Sequence, residues 1–275
     1  MPNCEKLNPY LARPLRQTRL QKKVNAVASR AISEFFAKTN HEGGSMGFTI
    51  GKIVYVNKVP ASGWLSVALK SSGVWVPLLE YTRLQITDIS HNRVYFKILD
   101  GGQKNKIASL GENNAKEYLG SNAPKQAGAQ VIVKYGAIDE VYSRARGEKY
   151  KQQTGTLIVD GISALVTLNT DLGAVTIEGG FTPIPPGIYK ILVPPNPHDK
   201  NMTEFYRTQV EPSLRSDQVW FPIEFGDNSR FIHLGNISEG CVTVMDLNKW
   251  NAIYKALISH RTPDGRYVGK LTVQK

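Results

Sequence analysis

The apolar positions of the chain change period several times. Beginning at Val24 they recur at Val27, Ala28, Ala31, Ile32, Phe35 and Phe36, the i, i+3, i+4 rhythm of an amphipathic helix, which Gly43 and Gly44 close. Over residues 47–98 the period drops to two. Lys52–Val56, Trp64–Leu69, Val74–Leu79 and Val94–Leu99 are short, rich in β-branched and aromatic residues, and separated by Gly, Ser and Asn, which predicts a β module. Residues 100–153 read as a connector: Gly101-Gly102, a Lys/Asn/Gln-rich stretch, a short apolar segment at Val131–Val133, and a polar, helix-like Glu140–Gln153. Strands resume at Leu157–Val159, Ser163–Leu168, Ala174–Glu178 and Ile188–Val193, and again at Val219–Ile223 and Arg230–His233. The intervening Pro194–Ser216 has the length and the Pro-rich, polar character of a lid or site wall. Leu247, Trp250, Ile253, Tyr254, Leu257 and Ile258 mark an amphipathic helix, and Thr262-Pro263-Asp264-Gly265 turns the chain into a last strand over Tyr267–Val273.

These segments predict an α+β, mainly β protein in three parts. They are a basic arm and helix over 1–44, a β-rich accessory domain with its connector over 45–153, and a second β domain over 154–275. Apolar residues make up 41% of the 275 and charged residues 21%, values of a globular chain and not of a disordered or disulfide-dense one. No apolar run approaches the ~18 residues of a membrane-spanning helix, so no transmembrane segment is expected. Cys4 and Cys241 are the two cysteines and stand far apart, so each thiol is read alone.

Charge is uneven. The formal net charge is +11, yet residues 154–275 carry 11 basic and 12 acidic side chains, leaving 23 basic and 11 acidic in residues 1–153. In the first thirty residues seven basic side chains face only Glu5. Such an arm suits a polyanion, whether nucleic acid, an anionic envelope polymer or a lipid surface, and equally a solvated tail.

Candidate chemistry concentrates in Arg230-Phe231-Ile232-His233-Leu234-Gly235-Asn236-Ile237-Ser238-Glu239-Gly240-Cys241. A histidine ends an apolar strand, a seven-residue loop follows, and a cysteine starts the next apolar run, so His233 and Cys241 are expected to meet where the strand ends lie side by side. An imidazole beside a thiol helps it lose its proton, and the thiolate is the nucleophile. Gly240 lets the backbone turn so that successive N–H groups face one point, as an acyl-transfer oxyanion requires. The competing readings are a buried structural Cys241 and a metal site built from His233, Cys241 and His198 or His260, whose spacing fits no standard zinc pattern.

A second motif lies upstream. Thr182-Pro183-Ile184-Pro185-Pro186-Gly187-Ile188-Tyr189-Lys190-Ile191, preceded by Gly179-Gly180-Phe181, resembles the Thr-Pro-x-x-x-Gly-x-Tyr-x-Ile segment of YkuD-like L,D-transpeptidases. In that family a strand His with a nearby Gly follows, then Ser-x-Gly-Cys and an apolar residue; here the same order is filled by His233, Gly235, Ser238, Gly240, Cys241 and Val242. The resemblance covers about residues 154–275. It departs from the family in three places: a shorter spacer after the strand His, Glu239 where a second His is common, and Thr243-Val244 in place of an Arg or Asn. Separately, the Trp64 and Trp75 strands, each beside a glycine, are similar to those of bacterial SH3-like domains, which would imply a wall-binding module.

The L,D-transpeptidase resemblance implies a β-sandwich-like catalytic domain acting on peptidoglycan stem peptides by transfer or by L,D-carboxypeptidase hydrolysis, without a cofactor. It implies Cys241 as nucleophile, His233 as acid–base, and Gly240, Glu239, Ser238 and Gly235 as oxyanion and substrate positions. Arg230, two residues before Ile232, is expected on the strand face opposite His233. The substrate lies in the periplasm or cell wall, whereas the first thirty residues hold no unbroken apolar run typical of a signal peptide. A removed signal accounts for this, and so does export of the whole chain as an antibacterial effector, with a secretion apparatus and an immunity protein as further partners. The rival of a different class is a cell-wall or nucleic-acid binding protein in which Cys241 is structural.

Overall fold

Between Ile53 and Gly120 the two-residue alternation of the sequence becomes strands directly: β1 (Ile53–Val56), β2 (Trp64–Leu69), β3 (Trp75–Leu79), β4 (Arg83–Ser90), β5 (Arg93–Ile98), β6 (Ile107–Gly111), a short helix α1 (Glu112–Tyr118) and β7 (Leu119–Gly120). All neighbours pair antiparallel in the order β3-β2-β6-β5-β4-β1-β7. Val54, Val56, Leu65, Val67, Leu84, Ile86 and Phe96, each two residues from another or facing one across the sheet, form its own buried core. The structure, a computed structural model, describes residues 47–144, 147–171 and 182–275, and all of these belong to one unit. The expected basic arm and helix, Cys4, the expected strand Ala174–Glu178 and Gly179-Gly180-Phe181 lie outside the described residues.

The remaining strands are β8 (Ala129–Ser143), β9 (Glu148–Val159), β10 (Ile162–Asp171), β11 (Gly187–Leu192), β12 (Phe221–Ile223), β13 (Arg230–Leu234), β14 (Val242–Val244) and β15 (Tyr267–Gln274). They close into a barrel in the order β10-β14-β13-β12-β11-β15-β8-β9. Along each strand alternate residues face inward: Val131 and Val133, Leu157 and Val159, Val166 and Leu168, Ile232 and Leu234, Val242 and Val244, Leu271 and Val273 all join one core. The helix α3 (Leu247–Ile258) adds Trp250, Ile253, Leu257 and Ile258 to the same core, as its 3.6-residue period requires. The short helix α2 (Lys200–Phe205), capped by the Asp199 carboxylate on the Asn201 N–H, and a π-helical turn at Tyr206–Val210 occupy the expected lid segment.

Two expectations change. Glu140–Gln153 is not helical: β8 and β9 pair from Val131↔Val159 to Ser143↔Glu148, a long hairpin whose polar outer half is solvated on both faces and therefore shows no strand alternation in its hydropathy. That hairpin also makes a barrel of what the resemblance implies to be a sandwich. β8 pairs in parallel with β15 while β9 pairs with β10, so both free edges of the remaining strands are joined. The barrel strands accordingly begin at Ala129, ahead of the expected boundary at 154.

The smaller sheet and the barrel share a polar seam. The Trp64 indole N–H donates to the Gln218 carbonyl at 3.1 Å, and the nearly buried Glu80 accepts from the Tyr254 hydroxyl at 3.0 Å and from Lys255 Nζ at 2.6 Å. Arg261, held at about 10 by burial, donates to the Glu80 carbonyl. No helix among the described residues is long and apolar enough to cross a membrane.

Candidate active site

β13 and β14 run parallel, with Ile232↔Val242, His233↔Thr243 and Leu234↔Val244 as partners. The sequence favours strand ends side by side; the structure brings the chain back across the end of β13 so that both strands point the same way. Cys241 therefore stands just ahead of β14, two residues before the partner of His233, about 6.6 Å along a strand. Alternation puts Thr243 on the side of His233 and Phe231, the outside of the barrel wall, and Cys241 occupies the bend that leads into β14.

His233 is fixed on three sides. Its Nδ1 lies 2.7 Å from the Leu234 carbonyl oxygen, which can only accept, so Nδ1 carries the proton and Nε2 accepts from the Thr243 hydroxyl at 3.0 Å. The Trp220 indole stacks on the ring at 3.6 Å and 10°, and His198 stacks on the other face of Trp220 at 3.5 Å and 8°. Burial pushes the imidazole down to about 3, with a smaller push in the same direction from His198 and an opposing one from the Leu234 carbonyl. His233 is thus a neutral imidazole over the whole physiological range.

The loop from Gly235 to Cys241 is held from below. Gln152 on β9, fully buried, donates from Nε2 to the Asn236 carbonyl at 3.0 Å and accepts the Ser238 N–H on Oε1 at 3.2 Å. The Asn236 side chain accepts from the Tyr206 hydroxyl at 2.8 Å and donates to the Tyr142 carbonyl at 2.5 Å. Burial raises Tyr206 well above an ordinary phenol, so its hydroxyl stays a donor. Ser238, also buried, donates from Oγ to the Cys241 carbonyl at 2.8 Å, a bond that ties the middle of the loop to its end. Gly235 passes so close to β14 that a Cβ there would lie 2.7 Å from Thr243 Cγ2. Glu239 is half-buried, and so is Cys241, which is not in a disulfide.

Gly240 has φ +98°, a conformation that side chains rarely adopt, and a Cβ at that point would also fall on the Arg230 guanidinium. Arg230 belongs to the strand face opposite His233, as expected, yet its Nη1 donates to the Thr182 carbonyl at 2.5 Å beside Gly240. Thr182 opens the upstream Thr-Pro motif. Tyr135 and Tyr189 fix the next turn of that motif through the Ile184 and Pro185 carbonyls at 2.7 and 2.8 Å. The two motifs that the sequence aligns only in order thus lie together in the fold, with Arg230 between them.

Sequence reasoning did not find Gln152, Asn236, Trp220 or Thr243 as parts of this site. Gln152 sits in a stretch without a recognisable signal, Asn236 lies within the His233–Cys241 loop but nothing in the sequence singles it out, and Trp220 reads as strand core. Thr243 has the one available cue: a hydroxyl two residues after the cysteine in an otherwise apolar run. Among the described residues no cluster of three or more His, Cys, Asp or Glu is placed to hold a metal. His260 is engaged elsewhere, its Nδ1 donating to the Ala256 carbonyl at 2.6 Å at the end of α3.

Comparison with protein-family models, with curated proteins and with solved structures finds no match to this chain.

Proposed function

We propose that the barrel is an L,D-transpeptidase-type catalytic domain, a cysteine acyltransferase acting on peptidoglycan stem peptides. The observation that supports this reading is the parallel β13–β14 pairing, which puts Cys241 two residues ahead of the partner of His233, at the end of a loop tied to Gln152 and lying against Arg230. That is a nucleophile, a neutral base and a constrained backbone turn in one place, on a chain whose Thr182 motif lies against the same turn.

In the reaction His233, relinquishing the Thr243 hydroxyl, takes the thiol proton on Nε2 as Cys241 Sγ attacks the carbonyl carbon of the diamino acid in the stem. The oxyanion faces the backbone around Glu239, Gly240 and Cys241. When the C–N bond breaks, His233 returns the proton to the leaving amine, D-alanine in a tetrapeptide stem, and a thioester remains. An amine from a second stem or a water molecule then releases the acyl group, giving an L,D cross-link or a shortened stem. Trp220 steadies the imidazolium that exists in between, its π face lying 3.6 Å from the ring.

Mass spectrometry of muropeptides incubated with the full chain tests this directly: loss of D-alanine from tetrapeptide stems, or new L,D cross-links, is expected with the wild type and not with Cys241→Ala. The role outside the chemistry is proposed with it, namely a periplasmic site of action as an exported effector. Expression with an added periplasmic signal should deform or lyse bacteria in a Cys241-dependent way, while expression without one should not. The SH3-like reading of the smaller sheet stands as a proposed wall-binding module.

A further inference from the structure

Trp75 on β3, Ala68 on β2, Ser109 on β6 and Tyr95 on β5 are register partners in one row across four neighbouring strands of the smaller sheet. The alternate positions Val76, Val67, Leu110 and Val94 fill that sheet's core, so the row lies on its outer face. At ~4.8 Å per strand the two aromatic residues stand about 14 Å apart, with only a methyl and a hydroxymethyl group between them. The row is a shallow trough with an aromatic wall on each side.

The two walls differ. Trp75, on the edge strand, is 64% exposed, an apolar surface that gains free energy when a ligand covers it. The Tyr95 ring is already covered, because Lys70 reaches from the end of β2 to place its Nζ 4.9 Å from the ring centre. Arg93, two residues before Tyr95 on the same face, donates from Nε to Ser109 Oγ at 3.0 Å and from Nη2 to the Ser109 carbonyl at 3.3 Å. Its guanidinium is thereby held over the floor of the trough. Lys97 follows Tyr95 on the same face. The carboxylates of this sheet are engaged elsewhere: Glu112 pairs with Lys116, Glu80 with Lys255, and Asp88 accepts from Ser90. Among the described residues, none of the three cations on this face is in an ion pair.

A ligand for this face needs a flat apolar side and a negative charge within the width of the trough. Single-stranded nucleic acid and an acidic polysaccharide both have these. Nucleic acid is held by stacking successive bases on successive aromatic faces. Here one face is open and the next lies under an ammonium group, so a second base has no platform. A sugar ring needs one indole face, which its C–H side covers, and its carboxylate finds the Arg93 fork. We infer that this face binds a polysaccharide strand bearing carboxylates, with one sugar ring on Trp75 and a neighbouring carboxylate at Arg93. Lys70 and Lys97 add attraction at longer range. The inference rests on the proposed wall-binding role of the smaller sheet and names its ligand as the glycan backbone, not the stem peptide. Peptidoglycan cut free of its stems carries such a carboxylate on the lactyl group of each muramic acid.

Fluorescence anisotropy of labelled, stem-free peptidoglycan glycan titrated with the full chain tests this. Chitohexaose serves as the uncharged sugar, poly-L-glutamate as charge without sugar, and oligothymidylate as the nucleic acid. Saturable binding of the stem-free glycan is expected, at least tenfold tighter than that of any of the three. Trp75→Ala should weaken it at least tenfold with an unchanged circular dichroism spectrum. Arg93→Gln should weaken it about tenfold and flatten its salt dependence, whereas Lys149→Gln, on the barrel hairpin, should leave it unchanged. Equal binding of chitohexaose, preference for oligothymidylate or poly-L-glutamate, insensitivity to Trp75→Ala, or no saturable binding would overturn the inference. Cosedimentation with intact sacculi separates it from the reading beneath it. Sacculi bound equally by wild type and Trp75→Ala would remove this inference and leave the wall-binding module; a chain that binds neither sacculi nor stem-free glycan loses both. Because the stem-free glycan offers no peptide bond to Cys241, these outcomes are independent of the muropeptide experiment.

Discussion

Arg230 and Thr182, 48 residues apart in sequence, are joined by a 2.5 Å hydrogen bond that passes directly over Gly240, the residue before the candidate nucleophile. A guanidinium packed on a glycine in the left-handed region does two things. It holds the backbone turn that precedes Cys241, and it fills the space a side chain at 240 would need.

The consequence is a prediction about rate. Arg230→Gln keeps a polar, flexible side chain but is too short to reach as far as the guanidinium and removes the fixed, charged fork. It should lower kcat on muropeptides on the order of tenfold to a hundredfold, the rate equivalent of the roughly 1.5–3 kcal/mol of a charge-assisted hydrogen bond. Urea denaturation should show the fold intact, and Gly240→Ala should be at least as damaging to kcat.

The burial of His233 fixes the sign of a pH effect. Its folded value, about 3, lies below the ~6.5 of an unfolded chain, so the unfolded state binds more protons between those limits. Its contribution to stability is complete above about pH 6.5 and is lost as pH falls toward 3, at up to about 1.4 kcal/mol per pH unit. Urea unfolding of wild type and His233→Gln at pH 7, 5.5 and 4.5 should show the wild type losing stability faster. The imidazole nitrogens should keep the Nδ1–H pattern in ¹⁵N spectra at pH 5, and Thr243→Val, by removing the donor to Nε2, should move the titration upward.

Gln152 acts through the loop. Gln152→Met has similar volume and no amide, so the Ser238 N–H and the Asn236 carbonyl lose their partner inside the protein. A loss of about 1–3 kcal/mol of stability is expected, with kcat falling more than KM changes. Gln152→Glu should restore the bond to Ser238 but not that to Asn236, and so recover only part of kcat.

How far the sequence carries is visible in particular residues. The strands around Val54, Leu65, Ile86 and Phe96 and the helix at Trp250 and Leu257 are legible because one face of each is buried, and burial is what writes periodicity. The turn at Asp160-Gly161 is legible for a conformational reason: both residues have positive φ, 46° and 77°, as a tight hairpin turn demands. The β8–β9 hairpin is not legible beyond Val133, since residues such as Ala137, Asp139 and Glu140 are exposed and nothing selects their alternation. Of the site, the order His233, Ser238, Gly240, Cys241 can be read along the chain. The parallel pairing of β13 with β14, the reach of Arg230 to Thr182 and the support from Gln152 cannot, because each joins segments 10 to 90 residues apart and depends on the closure of the barrel.

The central claim is that Cys241 becomes acylated by the stem peptide with His233 as the proton carrier. Intact-protein mass spectrometry of the full chain, quenched in acid shortly after mixing with a tetrapeptide stem, measures this most directly. A single adduct is predicted, equal in mass to the stem minus its terminal residue and one water, located on Cys241 by peptide mapping, absent in Cys241→Ala and much reduced in His233→Gln. Release of the terminal residue with no adduct on wild type, and undiminished release by Cys241→Ala, would contradict it.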